Sequence, residues 1–487
     1  MVTHLAWTGA TVGAVAVVAA GLPRPGRGQG LRRTARRPGR REPARWARPA
    51  DLGDLVVPSG SRPPPPGCLV LGQVGRRRVA AERAQSVLVF GPTQSHKTTG
   101  FAVPAILGWE GPVVAASVKA DLLEHTVAHR SGLGTVHCFD PTGVTGRPAT
   151  ACTPLPRART WPGARRAAAT LTEVGRAQAG AMTDGDFWYT TASRLLAPLL
   201  FAAATSGRGM ADVIHWVETG EEDEVLDLLA AAGVPEAVDA ARSAFGKEER
   251  QRSSIVTTLE TLLEPFAGSA PGGAPELDPG ALLGGSDTLY LCAPAHDQRR
   301  LTPLFVGVLR AVLDTAYDRV ARTGRPLEPP LLVVLDEAAN IAPVPDLDTL
   351  AATAAGHGIQ LVTVWHDLAQ LTARFGPRAT TVVNNHRAKL FLSGISDPST
   401  LDYASHLIGD EEPLLSATTA GGRAGASTTR SPTARRLAPP DALRRVPPGS
   451  GVLVYGDLPP ARLTLRTWFD DPWLRARATP ADDRGCR

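Results

Sequence analysis

The sequence predicts an α/β fold in which a parallel-rich central sheet is interrupted by an all-α inserted domain and preceded by an N-terminal transmembrane helix. Three observations carry this expectation. Short apolar runs alternate with helical patterns on both sides of the chain's middle, the signature of a parallel sheet. Residues 156–275 are rich in Ala and Leu and contain no strand-like run. Residues 5–22, LAWTGATVGAVAVVAAGL, form an uncharged run of eighteen.

As a helix that run spans roughly 27 Å, just short of a hydrocarbon core of about 30 Å. Ten Arg residues follow, from Arg24 to Arg48. Positive charge stays on the cytoplasmic side, so residues 1–23 are expected to be a single-pass anchor in the cell membrane with the bulk of the chain cytoplasmic. A cleaved signal peptide, with Val18 and Ala20 before the cut, is the competing reading; it lacks a basic start and requires a dense Arg block to be exported. Residues 24–67 are Arg, Pro and Gly and end in four consecutive prolines at 63–66. They read either as a tether against anionic lipid or as a linker with no lipid role.

The chain has 52 Lys and Arg against 47 Asp and Glu, a net +5, but residues 1–50 alone hold ten Arg and one Glu. The remainder is therefore mildly acidic at −4, and the basic balance is no argument for a nucleic-acid-binding body. A length of 487 residues, 43% of them hydrophobic, excludes a disordered chain and a small stapled scaffold. The five Cys residues are far apart without metal spacing, and reduced thiols are the simplest reading. Basic side chains are Arg nearly throughout, with Lys only at Lys97, Lys119, Lys247 and Lys389.

Within residues 68–155, SVLVF (86–90), PVVAASV (112–118) and GTVHCF (134–139) read as strands with helices between them. Within residues 276–470, TLYLCA (288–293), LLVVL (331–335), IQLVTV (359–364), KLFLS (389–393) and GVLVYG (451–456) resume the pattern. Residues 416–440, made of Thr, Ala, Gly, Ser and Arg, are expected to be a mobile loop, and 471–487 a C-terminal tail.

Gly91, Pro92, Thr93, Gln94, Ser95, His96, Lys97, Thr98 and Thr99 follow the strand SVLVF and open a helix. A phosphate-binding loop has Gly, four residues, then Gly-Lys-Ser/Thr; its amides cradle phosphate, its Lys reaches the β and γ oxygens, and its hydroxyl holds Mg2+. ATP and Mg2+ are thus the expected ligands, with Lys97 on phosphate and Thr98 on the metal. His96 stands where the second Gly belongs. Gly there lets the backbone approach phosphate, and His is one of the few other types enriched at positive φ, so the loop is weakened and not abolished.

LLVVLDEAANI places Asp336 and Glu337 at the C-terminal end of an apolar strand, where open parallel sheets put ligand sites. Asp336 is the second expected Mg2+ ligand and Glu337 the residue that polarises an attacking water; the plainer reading is a cap for the next helix. GIQLVTVWHDLAQL delivers His366, Asp367 and Gln370 to the same edge, to meet γ-phosphate or, for Asp367, simply to cap a helix. Lys119 ends the second strand beside Asp121 and faces that edge, or is a surface lysine.

Together GPTQSHKTTG, PVVAASVKADLLEHT, the FDP at 139–141, PPLLVVLDEAANIAP and GIQLVTVWHDLAQL resemble the coupling-protein ATPases of type IV secretion, the TraG/TraD group. The resemblance covers roughly residues 70–470, and the compact forms of GC-rich actinobacteria, whose coding bias fits the scarcity of Lys, are the most similar in kind. It implies a membrane-anchored, RecA-like, hexameric ATPase that brings conjugative, single-stranded DNA with its bound relaxase to the secretion channel. By residue it implies phosphate and Mg2+ roles for Lys97 and Thr98, the second acidic motif at Asp336 and Glu337, and nucleotide sensing at His366, where relatives commonly carry Gln.

The sequence departs from that pattern at His96 and in AATAAGHGI, which lacks the Arg that in many relatives reaches a neighbour's nucleotide. Either Arg374, Arg378 or Arg387 takes that part, or the chain has no such arginine. Many relatives also carry two N-terminal membrane helices where this chain has one. Two other functions stay open: a non-catalytic or weakly catalytic nucleotide-binding scaffold that recruits cargo at the membrane, and a protein-export ATPase. Any DNA path must be a local lining, for which Arg242, Arg250, Arg252, Arg299 and Arg300 are candidates.

Overall fold

The computed structural model describes residues 43–58, 65–117, 120–179, 185–267, 274–294, 296–340, 344–421 and 425–478. The expected anchor at 1–23, Lys119 and the end of the C-terminal tail lie outside them. Among the described residues no helix is long and apolar enough to cross a membrane.

Fifteen strands form in chain order among the described residues: β1 (Val70–Val74), β2 (Arg77–Ala80), β3 (Val87–Phe90), β4 (Val113–Ser117), β5 (Val136–Phe139), β6 (Thr288–Cys292), β7 (Leu331–Leu335), β8 (Ile359–Trp365), β9 (Ala388–Leu392), β10 (Asp410–Glu411), β11 (Leu414–Gly421), β12 (Gly425–Pro432), β13 (Arg435–Arg436), β14 (Ser450–Tyr455) and β15 (Ala461–Thr464). Eleven of them make one sheet in the order β2-β1-β15-β14-β9-β3-β8-β7-β4-β6-β5. The seven from β9 to β5 are mutually parallel; β14, β15, β1 and β2 extend the sheet antiparallel.

The parallel strands are apolar at nearly every position because both faces are covered. Leu88 and Phe90 face a core shared with the helices that follow β5, whereas Val87 and Val89 face a second core with the helices around 101–107 and 121–131. Between β5 and β6 lie helices Trp161–Ala179, Gly185–Ser206, Met210–Thr219, Asp223–Ala231, Pro235–Phe245 and Glu249–Leu263, with no strand among the described residues. Their apolar faces join the first core, so they pack as one body with the sheet.

Three expectations are corrected. The strands β1, β2 and β15 arise where none was expected; they carry Arg, Gln and Gly and extend the sheet's antiparallel side. The 416–440 stretch is no irregular loop: β11 and β12 pair over eight residues each, from Leu414↔Pro432 to Gly421↔Gly425, above the short pair β10 and β13. The second half of the 24–67 segment is likewise built into the fold. Leu52, Leu55 and Val57 are buried, Arg45 makes a two-pronged contact to Asp51 at 2.7 Å, and Arg462 stacks over Trp46 at 4.6 Å.

His386, fully buried before β9, donates from Nδ1 to the Val382 carbonyl at 2.7 Å and meets the Thr363 hydroxyl with Nε2 at 3.1 Å. Burial lowers its pKa from 6.5 to about 4. The unfolded chain therefore takes up this proton first, and stability present above pH 6.5 is lost as pH falls towards about 4. The unfolding free energy of His386→Asn, followed by denaturant titration, should show a shallower acid slope across that window, the difference reaching up to about 3 kcal/mol.

Candidate functional site

Strand β3 lies between β8 and β9, with β7 beyond β8, and the chain leaves β3 to re-enter at β4, three strands away. Such a crossover opens a crevice at the C-terminal edge of the sheet. Register aligns that edge: Phe90 pairs with Trp365, and Leu335 with Thr363. Three backbone bonds stitch the loops beyond it, Gly91 N–H to Trp365 at 2.9 Å, Asp336 N–H to Ala116 at 2.9 Å and Ala338 N–H to Val364 at 3.1 Å. Gly91, Asp336 and His366 thereby emerge side by side.

The loop 91–98 folds as a cradle. Gln94 and His96 both adopt left-handed backbone, φ +64° and +63°, around Ser95, whose hydroxyl donates to the Pro92 carbonyl at 2.8 Å. Residues on either side of a left-handed turn aim successive N–H groups inward, the arrangement that binds anions. A β-carbon at residue 91 would run into the Ser95 hydroxyl and stand within 3.2 Å of Leu392, which explains glycine there. His96 occupies the conformation that suits Gly, at a cost on the order of 1 kcal/mol, and its Nδ1 lies 3.2 Å from the Thr99 hydroxyl. Thr93 and Gln94 are exposed, while Ser95 and Lys97 are buried. Lys97 Nζ donates to the carbonyls of Gly91 and Pro92, each at 3.2 Å, so its charge lies across the cradle.

Thr98 donates its hydroxyl to Asp336 Oδ2 at 2.8 Å. Asp336 is 4% exposed, and its Oδ1 is buried with no hydrogen-bond partner among the described residues. Burial raises its pKa to about 6, partly offset by the Thr98 bond and the Lys97 charge. An orphaned carboxylate oxygen beside a threonine hydroxyl fits a hard, oxygen-seeking cation such as Mg2+. No cluster of three His, Cys, Asp or Glu that could hold a metal unaided occurs among the described residues, so further oxygens must come from ligand or water.

Glu337, also left-handed at φ +64°, places Oε1 3.7 Å from His366 Nε2. Asp367 caps the helix Leu368–Phe375 by accepting from Gln370 N–H at 2.8 Å, and Gln370 Oε1 accepts from His366 N–H at 3.0 Å. Asp367 and Gln370 thus fix the turn that presents His366 and do not themselves project into the cradle.

Of the three candidates for an arginine that reaches a neighbour, Arg378 bonds Asp348 at 3.4 Å and the Pro345 carbonyl at 2.8 Å, and Arg387 pairs with Glu82 at 3.0 Å. Arg374 stands in the last turn of its helix. Among the helical arginines, Arg300 pairs with Glu264 and Asp297, Arg252 donates to the Phe245 carbonyl, and Arg242 and Arg250 are exposed; the Arg299 side chain is outside the description. A groove of about 970 Å³ lies among the inserted helices, lined by Trp161, Arg165, Tyr189, Arg194 and Lys247 among others and by none of the cradle residues.

Two contributors had no sequence signal strong enough to single them out. Trp468 donates its N–H to the Thr99 carbonyl at 3.1 Å, bracing the π-helical turn Thr98–Ala102 that follows Lys97. Asn340, three residues after Glu337 in the same motif, donates from Nδ2 to Glu337 Oε2 at 3.5 Å.

Removing the buried charge should stabilise the ligand-free chain: Asp336→Asn is expected to unfold at higher denaturant concentration at pH 7, by about 1–2 kcal/mol. The same variant should lose Mg2+-dependent nucleotide binding, read by calorimetry with and without the cation.

The chain is similar to the conjugal transfer protein TraG of Escherichia coli, 23% identical, with 89% of this chain and 78% of the relative covered. Protein VirD4 of Agrobacterium fabrum is also 23% identical, over 66% of this chain and 49% of its own length. Among solved structures, the unbound bacterial conjugative coupling protein TrwBdeltaN70 superposes with a TM-score of 0.63 at 17% identity, covering 88% of this chain and 93% of that one. TrwB in complex with ADP and Mg2+ gives 0.59 at 17% identity, covering 78% and 85%. At such identities the structural likeness carries the fold alone. The family model for type IV secretory system conjugative DNA transfer matches residues 62–483, nearly the whole of the body built around β3, β7 and β8, and the chain belongs to that family.

Proposed function

We propose that this protein is the coupling ATPase of a type IV secretion apparatus, hydrolysing ATP to deliver DNA, with its relaxase, into the channel. The observation that carries the reading is the Thr98–Asp336 hydrogen bond of 2.8 Å, which joins a phosphate-loop hydroxyl to a strand-end carboxylate in a member of a DNA-transfer family. The cradle amides of 93–98 receive the β- and γ-phosphates. Lys97 exchanges its loop carbonyls for phosphate oxygens. Thr98 and Asp336 would hold Mg2+, which when bound neutralises charge on those oxygens. Glu337 accepts the proton of the attacking water, and His366, beside it, meets the γ-phosphate and senses its loss.

The uncharged run 5–22 and the ten Arg after it support a single membrane anchor with the body on the cytoplasmic side. Single-stranded DNA, relaxase and channel components are the partners the reading requires, and a homohexamer its working form, with an arginine such as Arg374 supplied to the neighbour's nucleotide. A weakly catalytic scaffold is the second reading, favoured by the β-carbon that His96 carries into a glycine conformation.

ATP turnover by the full chain, with and without single-stranded DNA, separates the two. Lys97→Ala and Glu337→Gln should each lower kcat by about a hundredfold or more. His96→Gly should tighten ATP binding about threefold or more and raise kcat, with little change in thermal midpoint. Relief of the left-handed β-carbon and the added freedom of an unfolded glycine are each worth about 1 kcal/mol and oppose one another. A wild-type chain that binds ATP but turns none over, beside an active His96→Gly, would establish the scaffold.

A further inference from the structure

The Glu337 carboxylate stands between two nitrogens: Asn340 Nδ2, which donates to Oε2 at 3.5 Å, and His366 Nε2, which lies 3.7 Å from Oε1, outside hydrogen-bond distance. They differ in freedom. Asn340 belongs to the same turn, its N–H bonded to the Glu337 carbonyl at 2.9 Å, so the two residues move as a unit. His366 is secured through its main chain, by Gln370 Oε1 at 3.0 Å, and its side chain is 28% exposed. Rotation about its side-chain bonds carries the imidazole away while leaving the turn in place.

We infer that Asn340 is the positioning residue for Glu337. It keeps Oε2 throughout the cycle and leaves Oε1, the oxygen on the His366 side, as the one that works. A carboxylate rotates readily about its terminal bond; an amide donor on one oxygen removes that freedom and keeps the lone pairs of the other aimed. In the resting site His366 covers Oε1. When His366 turns to the γ-phosphate, Oε1 is uncovered and takes the proton from water as the water oxygen bonds to the γ-phosphorus. The bond from phosphorus to the β,γ-bridging oxygen breaks, and ADP leaves with that oxygen and its electron pair. Hydrolysis is thereby made conditional on nucleotide without any movement of the backbone that carries Glu337. The assignment rests on Glu337 being the general base of a phosphate-loop site.

The test is steady-state and single-turnover ATP hydrolysis by the full chain. Asn340 is exposed, so Asn340→Ala should leave the thermal midpoint unchanged. Its kcat should fall about tenfold, within the roughly hundredfold that a misplacement of about 1 Å can cost, while KM for ATP stays within about twofold. In a Glu337→Gln background the same substitution should add no further loss, because the group it positions has gone. Full kcat in Asn340→Ala, or a loss that multiplies completely onto that of Glu337→Gln, overturns the assignment. Equal turnover by wild type and Lys97→Ala removes the phosphate-loop reading itself, and this inference with it.

Discussion

The bond from Thr98 to Asp336 spans 238 residues of sequence and closes over 2.8 Å of space. It forms only if β3 and β7 end level, which depends on the strand between them. Strand β8 pairs with both, Phe90 against Trp365 on one side and Leu335 against Thr363 on the other. A shift of one residue in either pairing would turn every apolar side chain to the opposite face and carry the loop away from the carboxylate. Because both faces are filled by different cores, that shift is opposed along the whole length of the strands. The register that the hydrophobic cores enforce is therefore also the register that the chemistry needs.

The expensive feature of the site is a nearly dry carboxylate. Asp336 is held ionisable among apolar neighbours by one hydroxyl and by the charge of Lys97, while half of its hydrogen-bonding capacity goes unused. Three residues nearby, Gln94, His96 and Glu337, hold left-handed backbone without being glycine. Strain and an unmet polar atom at the same sheet edge mark a place where the fold gives up stability for a ligand it is shaped to receive.

Much of this was legible in the sequence because parallel strands buried on both faces cannot hide: VLVF, LLVVL and IQLVTVW are apolar at almost every position. Asp336 and Glu337 were legible for a related reason, since they sit one and two residues beyond such a run, and Lys97 and Thr98 because the loop that carries them leaves another, β3, and opens a helix. What escaped had weaker signals. Strands β1, β2 and β15 carry Gln, Arg and Gly and are strands only because a neighbour offers them an edge. The β11–β12 ribbon is built from Thr, Ser, Ala and Gly, a composition that fits a loop equally well. In the Arg- and Pro-rich segment the average composition concealed Leu52, Leu55 and Val57, three apolar anchors that suffice to dock it. Trp468 braces the phosphate loop from 369 residues away through its main chain, which no side-chain pattern announces.

The antiparallel side of the sheet draws on both ends of the chain. Gln73 in β1 pairs with Thr464 in β15, and β15 joins the parallel strands only through β14. During synthesis the phosphate loop, the first of the site's parts to emerge, must wait for almost the last ones before β1 has its neighbour and Thr99 its brace. Long-range pairings of this kind are slow to form and are completed after the contacts nearer in sequence. A nascent chain interrupted after His366 and before Ala461 would carry the loop 91–98, Asp336, Glu337 and His366 and yet lack strand β15 and the tryptophan that braces the loop. Assembly of the site thus waits until synthesis has passed Trp468.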